Sequence, residues 1–135
     1  MTEGQVAEIT AAGGKLIVTP HVDAAIVRAA KHQGLLAMPG FFTPAEAFAM
    51  LAAGADALKL FPAEAASPAA LRAMRAVLPL GTAVLPVGGI DASNMVAWKE
   101  AGAAGFGIGS AIYKPGDSPQ AVATKAHRLV SALQS

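Results

Sequence analysis

The chain has 135 residues, of which 54% are hydrophobic and 14% charged, so one domain over residues 1–135 with a buried core is expected and disorder is not. The formal net charge is +1 and no cluster of Lys or Arg occurs, which argues against nucleic acid or an anionic membrane as a partner. Cysteine is absent, which excludes disulfides, thiolate metal sites and cysteine nucleophiles. No signal peptide and no apolar run of ~20 residues is found, so we expect a cytoplasmic protein.

Short apolar runs alternate with Ala-rich amphipathic stretches along the chain. An opening helix is predicted over residues 2–12 and a closing helix over residues 119–133. Strands that alternate with helical patterns of this length indicate βαβ units and a parallel sheet. The predicted strands are residues 15–20, 35–40, 57–62, 83–89 and 105–110.

The helix boundaries carry local signals. Thr43 and Ser67, each followed by Pro, are expected N-caps, and Asp91 or Ser93 is expected to cap the following helix. Glycine tolerates the left-handed conformation that ends many helices. Four glycines are expected to end a helix just before a strand: Gly13, Gly34, Gly54 and Gly102.

The regular repeat predicts an α/β fold of the (β/α)8 barrel type, with only about the last five βα units present. A closed barrel of this type needs ~200 residues or more. Five strands leave two sheet edges with unpaired backbone groups. We therefore expect that three N-terminal βα units are missing, or that another chain supplies the pairing.

Lys59 is the main candidate for chemistry. It lies between Leu58 and Leu60 in a predicted strand, so its side chain should point to the opposite face, into the barrel. A lysine among apolar neighbours has a lowered pKa, and the neutral amine can attack a ketone to form an imine. The structural alternatives are an inward lysine that pairs with a carboxylate, and a charged residue that protects an edge strand from further pairing.

Two glycine-rich strand ends form the second candidate site. Gly88 and Gly89 end one predicted strand, and Gly109 and Ser110 end the next. In barrels the loops after the last two strands commonly bind phosphate through backbone N–H groups. These glycines could instead serve only tight turns and close packing.

Other polar residues carry weaker signals. Pro20 and His21 lie at the end of a predicted strand. Pro20 could shape the wall beside Lys59, but plain strand termination explains it at least as well. His21 could contact substrate, but a solvated loop position explains it better. Glu64 lies just beyond Lys59 and is the nearest candidate proton carrier, although it could only cap its loop. The three histidines are scattered and lack a carboxylate at ligand spacing, so no metal site is expected.

The phrases LIVTPH, MPGFFTPAEAF, AGADALKLFPAEA, VLPVGGI and GIGSAIYKPGDS, in this order, resemble the KDPG/KDPGal aldolase family over essentially the whole chain. The resemblance implies a (β/α)8 barrel that assembles as a homotrimer and needs neither metal nor cofactor. It implies that Lys59 forms the Schiff base and that Pro20 and Phe61 line the pyruvate pocket. The residues that it assigns to the phosphate and substrate turns are Val87, Gly88, Gly89, Gly109 and Ser110.

The implied reaction is the reversible cleavage of a 2-keto-3-deoxy-6-phospho sugar acid to pyruvate and D-glyceraldehyde 3-phosphate. Val87 before Gly-Gly and the segment Tyr113-Lys114-Pro115-Gly116 resemble the phosphogalactonate branch, whereas FPAEA resembles the phosphogluconate branch. The family's general acid/base Glu, its carboxylate-binding Arg and a substrate-contacting Thr lie in segments not found in this sequence. We therefore expect impaired activity of this chain alone. Two alternatives remain: another sugar-phosphate barrel such as an epimerase or synthase, and a non-catalytic phosphate-binding domain.

Overall fold

The computed structural model describes residues 1–134 and shows an α/β fold of short parallel strands and helices in alternation. A 3₁₀ turn, Ala63–Ala65, follows the fourth strand. The strands are β1 Leu16–Val18, β2 Leu36–Met38, β3 Gly40–Phe41, β4 Leu58–Leu60 and β5 Val84–Pro86. The helices are α1 Glu3–Ala11, α2 Ala24–His32, α3 Pro44–Ala52, α4 Pro68–Arg75, α5 Met95–Glu100 and α6 Pro119–Gln134.

The predicted N-caps of α3 and α4 are confirmed. The hydroxyl of Thr43 accepts a hydrogen bond from the Glu46 N–H at 3.3 Å, and the Glu46 carboxylate accepts the Thr43 N–H at 2.8 Å. Ser67 accepts a hydrogen bond from the Ala70 N–H at 3.1 Å. The predicted cap at Asp91 or Ser93 is wrong, because α5 begins only after Asn94 and the Asp91 carboxylate bonds Ser93 instead. The predicted helix-ending glycines have positive φ angles: Gly13, Gly34, Gly54 and Gly102.

The strands form two parallel ladders. β1 pairs with β2, and β4 lies between β3 and β5. The predicted strand over residues 35–40 is divided into β2 and β3 at Pro39, which has no N–H to donate to a ladder. The carbonyl of Pro39 still accepts the N–H of Lys59 at 2.9 Å, so the backbone passes from one ladder to the next without leaving the sheet.

The predicted strand over residues 105–110 is wrong. The structure has a single bridge there, between Val87 and Gly107. Glycine weakens a strand because it has no side chain to pack and loses more chain entropy. Three of these six residues are glycines, and within residues 1–134 the segment has a bridge partner on one side only.

The two faces of the sheet differ in burial. Leu58, Leu60 and Val84 face the helices and are fully buried. On the opposite face, Leu16 and Leu36 are paired across β1 and β2 and are 45% and 53% exposed. The face of the sheet opposite to the helices, called the open face below, is therefore partly in contact with solvent. None of the helices described in residues 1–134 has both the length and the apolar character of a membrane span.

Candidate active site

Lys59 lies on the open face of the sheet. Lys59 is the central residue of β4, between Leu58 and Leu60, which are both fully buried against the helices. Its neighbours across the ladders are Gly40 on β3 and Leu85 on β5. The predicted orientation of this side chain, opposite to its two leucine neighbours, is therefore present in the structure.

The surroundings of the Lys59 amine favour its neutral form. Burial lowers the pKa of Lys59 below the ordinary value for lysine. The Nζ atom lies 4.5 Å from the centre of the Phe61 ring. Among residues 1–134, no carboxylate lies within 4.0 Å of this amine, so the alternative of a structural ion pair at Lys59 finds no partner there.

The chain leaves β5 through the first glycine turn, Val87–Gly88–Gly89. The N–H of Val87 donates to the Leu60 carbonyl at 3.0 Å, and the Val87 carbonyl accepts the Ala63 N–H at 2.8 Å. This pair of hydrogen bonds fixes the start of the turn beside the end of β4. Gly88 and Gly89 then adopt φ angles of 104° and 65°, a region that residues with a Cβ rarely enter.

The second glycine segment, residues 107–110, lies beside the first. The Gly107 N–H donates to the Pro86 carbonyl at 3.0 Å, and a Cβ on Gly107 would overlap the side chain of Val87. Glycine at this position therefore allows the two segments to pair. A cavity of about 140 Å³ lies between them. Its lining residues are Val87, Gly88, Gly89, Ile90, Gly107, Gly109, Ser110 and Ala111.

The two glycine segments offer free backbone donors at this cavity. Within the described part of the chain, the N–H groups of Gly88 and Gly89 donate no hydrogen bond, and neither do those of Gly109 and Ser110. Several unpaired N–H groups around one small cavity form an arrangement that suits an oxyanion such as phosphate. The structure thus brings together the four residues that the sequence predicted for phosphate binding.

Glu64 lies against the glycine turn, where the sequence did not place it. A Cβ on Gly88 would overlap the Glu64 carboxylate, so this carboxylate packs directly on Gly88. The same carboxylate lies more than 4.0 Å from the Lys59 amine. Glu64 is therefore poorly placed to exchange a proton at Lys59 without movement.

Asn94 is a contact residue that the sequence analysis missed. Its Nδ2 donates to the Gly89 carbonyl at 2.7 Å, and its Oδ1 accepts the Asp91 N–H at 3.1 Å. The one available signal was an Asn three residues after Asp91, because Asn commonly bonds nearby backbone at the start of a helix.

Pro20 lies beside Gly40, the residue that pairs with Lys59 across the ladder. A Cβ on Gly40 would overlap the Pro20 backbone, so Pro20 packs on the strand next to Lys59. Its exposed surface lines a separate open groove of about 530 Å³, together with His21 and residues of α1. A role for Pro20 in the pyruvate pocket remains a prediction. Within residues 1–134, no group of three His, Asp or Glu side chains could hold a metal ion.

Comparison with known proteins places this geometry in a family. The sequence model of the family described as "Aldolase: KDPG and KHG aldolase" matches residues 1–122. The chain is 42% identical over its full length to the probable 2-dehydro-3-deoxy-6-phosphogalactonate aldolase of Rhizobium meliloti (strain 1021), of which it covers 64%. It is also 42% identical, over 96% of its length, to the 2-dehydro-3-deoxy-6-phosphogalactonate aldolase of Escherichia coli (strain K12), of which it covers 63%.

A solved structure described as "Native KDPGal structure" superposes on 99% of the chain with a TM-score of 0.97 and 40% identity, and the chain covers 65% of it. The predicted fold class is confirmed, because the alternating α/β arrangement matches the barrel of that protein while the sheet described here stays open. The chain spans a little under two thirds of the length of these relatives. On the family match and these similarities, the chain belongs to the KDPG and KHG aldolase family.

Proposed function

We propose that this chain carries the imine-forming and phosphate-binding parts of a class I aldolase that cleaves 2-dehydro-3-deoxy-6-phosphogalactonate reversibly to pyruvate and D-glyceraldehyde 3-phosphate. The observation that carries the proposal is the position of Lys59. Its amine lies on the open face of the sheet, with a pKa lowered by burial and no carboxylate within 4.0 Å among residues 1–134. These conditions favour a neutral nucleophilic amine at moderate pH.

The chemistry follows from that amine. The lone pair of neutral Lys59 attacks the C-2 ketone of the substrate, and loss of water leaves a protonated imine. The C-4 hydroxyl then gives up its proton, the C-3 to C-4 bond breaks, and its electron pair flows into the imine to form an enamine. The aldehyde departs with C-4 as its carbonyl carbon. The enamine takes a proton at C-3, and water releases pyruvate and the free amine.

The phosphoryl group of the substrate is proposed to occupy the cavity between the two glycine segments. The unpaired N–H groups of Gly88, Gly89, Gly109 and Ser110 support this assignment, and so does the volume of about 140 Å³. Backbone donors carry no net charge and keep their positions, so they bind an anion without placing a cation beside the amine. Further support comes from the register of β4 beside β5, in which Lys59 pairs with Leu85 and the first glycine turn begins two residues later, at Val87.

The proton transfers need a carrier, and the described residues do not place one at the amine. Glu64, the candidate from the sequence, packs on Gly88 instead. General acid–base groups typically contribute 10²–10⁴-fold in rate. We therefore propose that this chain by itself forms the imine readily but turns over slowly, by about that factor, when no other segment supplies the carrier.

The choice of the phosphogalactonate substrate rests on the two relatives at 42% identity, whose names give that activity. The phosphogluconate epimer, which differs at C-4, is the alternative. Cleavage rates measured side by side on the two epimers test the choice. A faster rate on the gluconate epimer would reverse it and would leave the imine mechanism intact.

The imine itself is tested by borohydride trapping. Incubation with pyruvate and borohydride should add the mass of pyruvic acid less one oxygen atom, and peptide mapping should locate that mass on Lys59. Lys59→Met should take no label, while Lys15→Met, which removes a lysine outside the strands, should label like the wild type. Folded wild-type protein that takes no label would contradict the aldolase proposal and favour a non-catalytic phosphate-binding domain. Activity that survives Lys59→Met would favour another sugar-phosphate barrel enzyme.

Assembly as a homotrimer is part of the same proposal and is supported by the family resemblance. The large apolar side chains of Phe48 and Tyr113 are 44% and 55% exposed, which is compatible with burial between copies. Sedimentation equilibrium is the test. A monomer over the full concentration range would contradict the trimer.

A further inference from the structure

One side chain ties the first glycine turn to the helix behind it. The Nδ2 group of Asn94 donates to the carbonyl of Gly89 at 2.7 Å, and its Oδ1 atom accepts the N–H of Asp91 at 3.1 Å. The Asn94 side chain therefore forms hydrogen bonds with the backbone on both sides of Ile90. An amide side chain suits this task because it carries a donor and an acceptor at its tip.

The hydrogen bond from Asn94 to the Gly89 carbonyl determines the direction in which the next N–H group of the turn points. In a planar trans peptide the N–H points opposite to the C=O. The Gly89 carbonyl points to Asn94, so the Ile90 N–H, on the same peptide, points away from Asn94. This N–H donates no hydrogen bond within residues 1–134, and Ile90 lines the cavity between the two glycine segments. The orientation of the peptide therefore adds a further free donor beside those of Gly88 and Gly89.

Other contacts stabilise the rest of the turn, and none of them involves the Gly89 carbonyl. The Asp91 carboxylate bonds the N–H of Ser93 at 2.7 Å and also its hydroxyl, so it stabilises the segment after Ile90. The 3₁₀ turn Ala63–Ala65 packs on the other side, with Glu64 against Gly88. Among residues 1–134, the only hydrogen bond to the Gly89 carbonyl comes from Asn94.

We propose that Asn94 is a positioning residue that orients the Gly89–Ile90 peptide so that the glycine turn binds the phosphoryl group of the substrate. This inference rests on the proposed phosphate site but not on the imine chemistry. Without the Asn94 amide, the glycines are free to rotate this peptide and to turn a carbonyl oxygen towards the anion. Aspartate at position 94 would be worse than alanine, because it cannot donate to the Gly89 carbonyl and adds negative charge near the anion.

The test separates phosphate binding from imine formation. The affinity for inorganic phosphate is measured by calorimetry, and the rate of pyruvate trapping by borohydride is measured in parallel. Asn94→Ala should weaken phosphate binding about tenfold and Asn94→Asp should weaken it further, as expected for loss of an oriented hydrogen-bond site. Both variants should keep the wild-type trapping rate within about twofold. Ser93→Ala is the matched control. It removes a hydroxyl that donates to the Asp91 carboxylate and makes no hydrogen bond to Gly89, so it should keep phosphate affinity.

A second measurement needs no substitution. Titration of ¹⁵N-labelled wild-type protein with phosphate should shift the backbone amides of Gly88, Gly89 and Ile90 saturably, and that of Ala25, which already donates to Asp23, very little. An Ile90 amide that does not respond would overturn the inference. Unchanged phosphate affinity in folded Asn94→Ala would overturn it too, as would equal loss of phosphate binding and trapping.

The outcome for Asn94 stays distinct from that for the aldolase proposal. Wild-type protein that binds phosphate but traps no pyruvate would contradict the imine mechanism, and the Asn94 variants would still report on the turn. Wild-type protein that traps pyruvate but binds no phosphate would remove the phosphate site and this inference with it, while the role of Lys59 would stand.

Discussion

The Nζ atom of Lys59 lies 4.5 Å from the centre of the Phe61 ring, one strand period further along the same face. The ring acts on the amine in two opposite ways. Its bulk excludes water, which disfavours the ammonium form, while its electron-rich face attracts a cation. Burial lowers the pKa of Lys59. Phe61 therefore contributes to the pH at which the amine becomes a nucleophile.

Replacement of Phe61 by Leu should lower the pKa of Lys59 further. Leucine keeps apolar cover over the amine but has no ring face to stabilise the ammonium. A cation–π contact contributes roughly 0.5–1 kcal/mol, which corresponds to about half a pH unit. The rate of pyruvate trapping, followed against pH, should therefore reach its midpoint about half a unit lower in Phe61→Leu than in the wild type. Phe61→Ala should move the midpoint in the opposite direction because it admits water, and equal midpoints in all three proteins would contradict the role of the ring.

Lys59 should also reduce the stability of the fold at neutral pH. Its pKa is lowered in the folded chain, whereas the unfolded chain holds the proton until pH ~10.4. Between these two values the unfolded state binds more protons, so the free energy of unfolding rises with pH. Lys59→Met removes the buried charge and should be more stable than the wild type at pH 7. The difference in Tm should shrink as the pH approaches 10.4, and a difference independent of pH would show that burial of the charge is not its cause.

The backbone of Pro20 lies so close to Gly40 that no side chain larger than hydrogen fits there. A Cβ at Gly40 would lie 2.6 Å from the Pro20 carbonyl oxygen and 2.8 Å from the His21 nitrogen, and these backbone atoms cannot rotate away as a side chain could. Gly40→Ala should therefore destabilise the fold by about 1–3 kcal/mol, as overpacking does. It should also slow pyruvate trapping, because Gly40 pairs directly with Lys59 across the ladder.

The matched control for Gly40→Ala is Gly4→Ala. Gly4 lies in the first turn of α1, where an added Cβ would meet its nearest atom, the Thr2 hydroxyl, at 3.8 Å, an ordinary contact. Alanine in a helix should give a small gain, up to ~1 kcal/mol. Urea unfolding monitored by circular dichroism gives both values. A Gly40→Ala variant as stable as Gly4→Ala would mean that the strand and Pro20 can separate at little cost.

Much of the strand and helix order could be predicted from the sequence, because the signals are local. Thr43 and Ser67 precede proline at helix starts, and period-2 alternation around Lys59 sets the face on which it lies. The glycines at residues 88, 89 and 109 were found because each ends an apolar run. These features depend on a few neighbouring residues, which a single sequence displays.

The misses depend on contacts between distant segments. Whether residues 105–110 form a strand depends on pairing with neighbours on both sides. Within residues 1–134, this segment forms a single bridge, between Gly107 and Val87. Glu64 was judged by its nearness in sequence to Lys59, yet its carboxylate packs on Gly88, which lies in the turn after the next strand. The start of α5 was predicted too early in the chain, because Asp91 and Ser93 form a hydrogen bond with each other and do not cap the helix. Asn94 instead accepts the N–H of Asp91 and stabilises the turn.

Asp56 should stabilise the sheet through a backbone contact more than through its ion pair. Its carboxylate accepts the Ala37 N–H at 2.8 Å and the Lys31 amine at 2.7 Å. Burial raises the pKa of Asp56, but the hydrogen bonds from Lys31 and Ala37 outweigh it and hold the pKa below its ordinary value. Asp56→Ala leaves the buried Ala37 N–H unpaired and should cost about 1–3 kcal/mol.

Lys31→Met removes only the half-exposed ion pair and should cost less than about 1 kcal/mol. Asp56→Asn keeps an acceptor for Ala37 and should fall between these two. Because the folded pKa of Asp56 is lowered, its contribution is present above the unfolded pKa of ~3.9 and is lost as the pH falls through the folded value. The stability gap between the wild type and Asp56→Asn, measured by urea unfolding, should therefore close in acid. Equal losses in Lys31→Met and Asp56→Ala would instead assign the stabilisation to the ion pair, and the Ala37 N–H would then have little effect on how β2 is held.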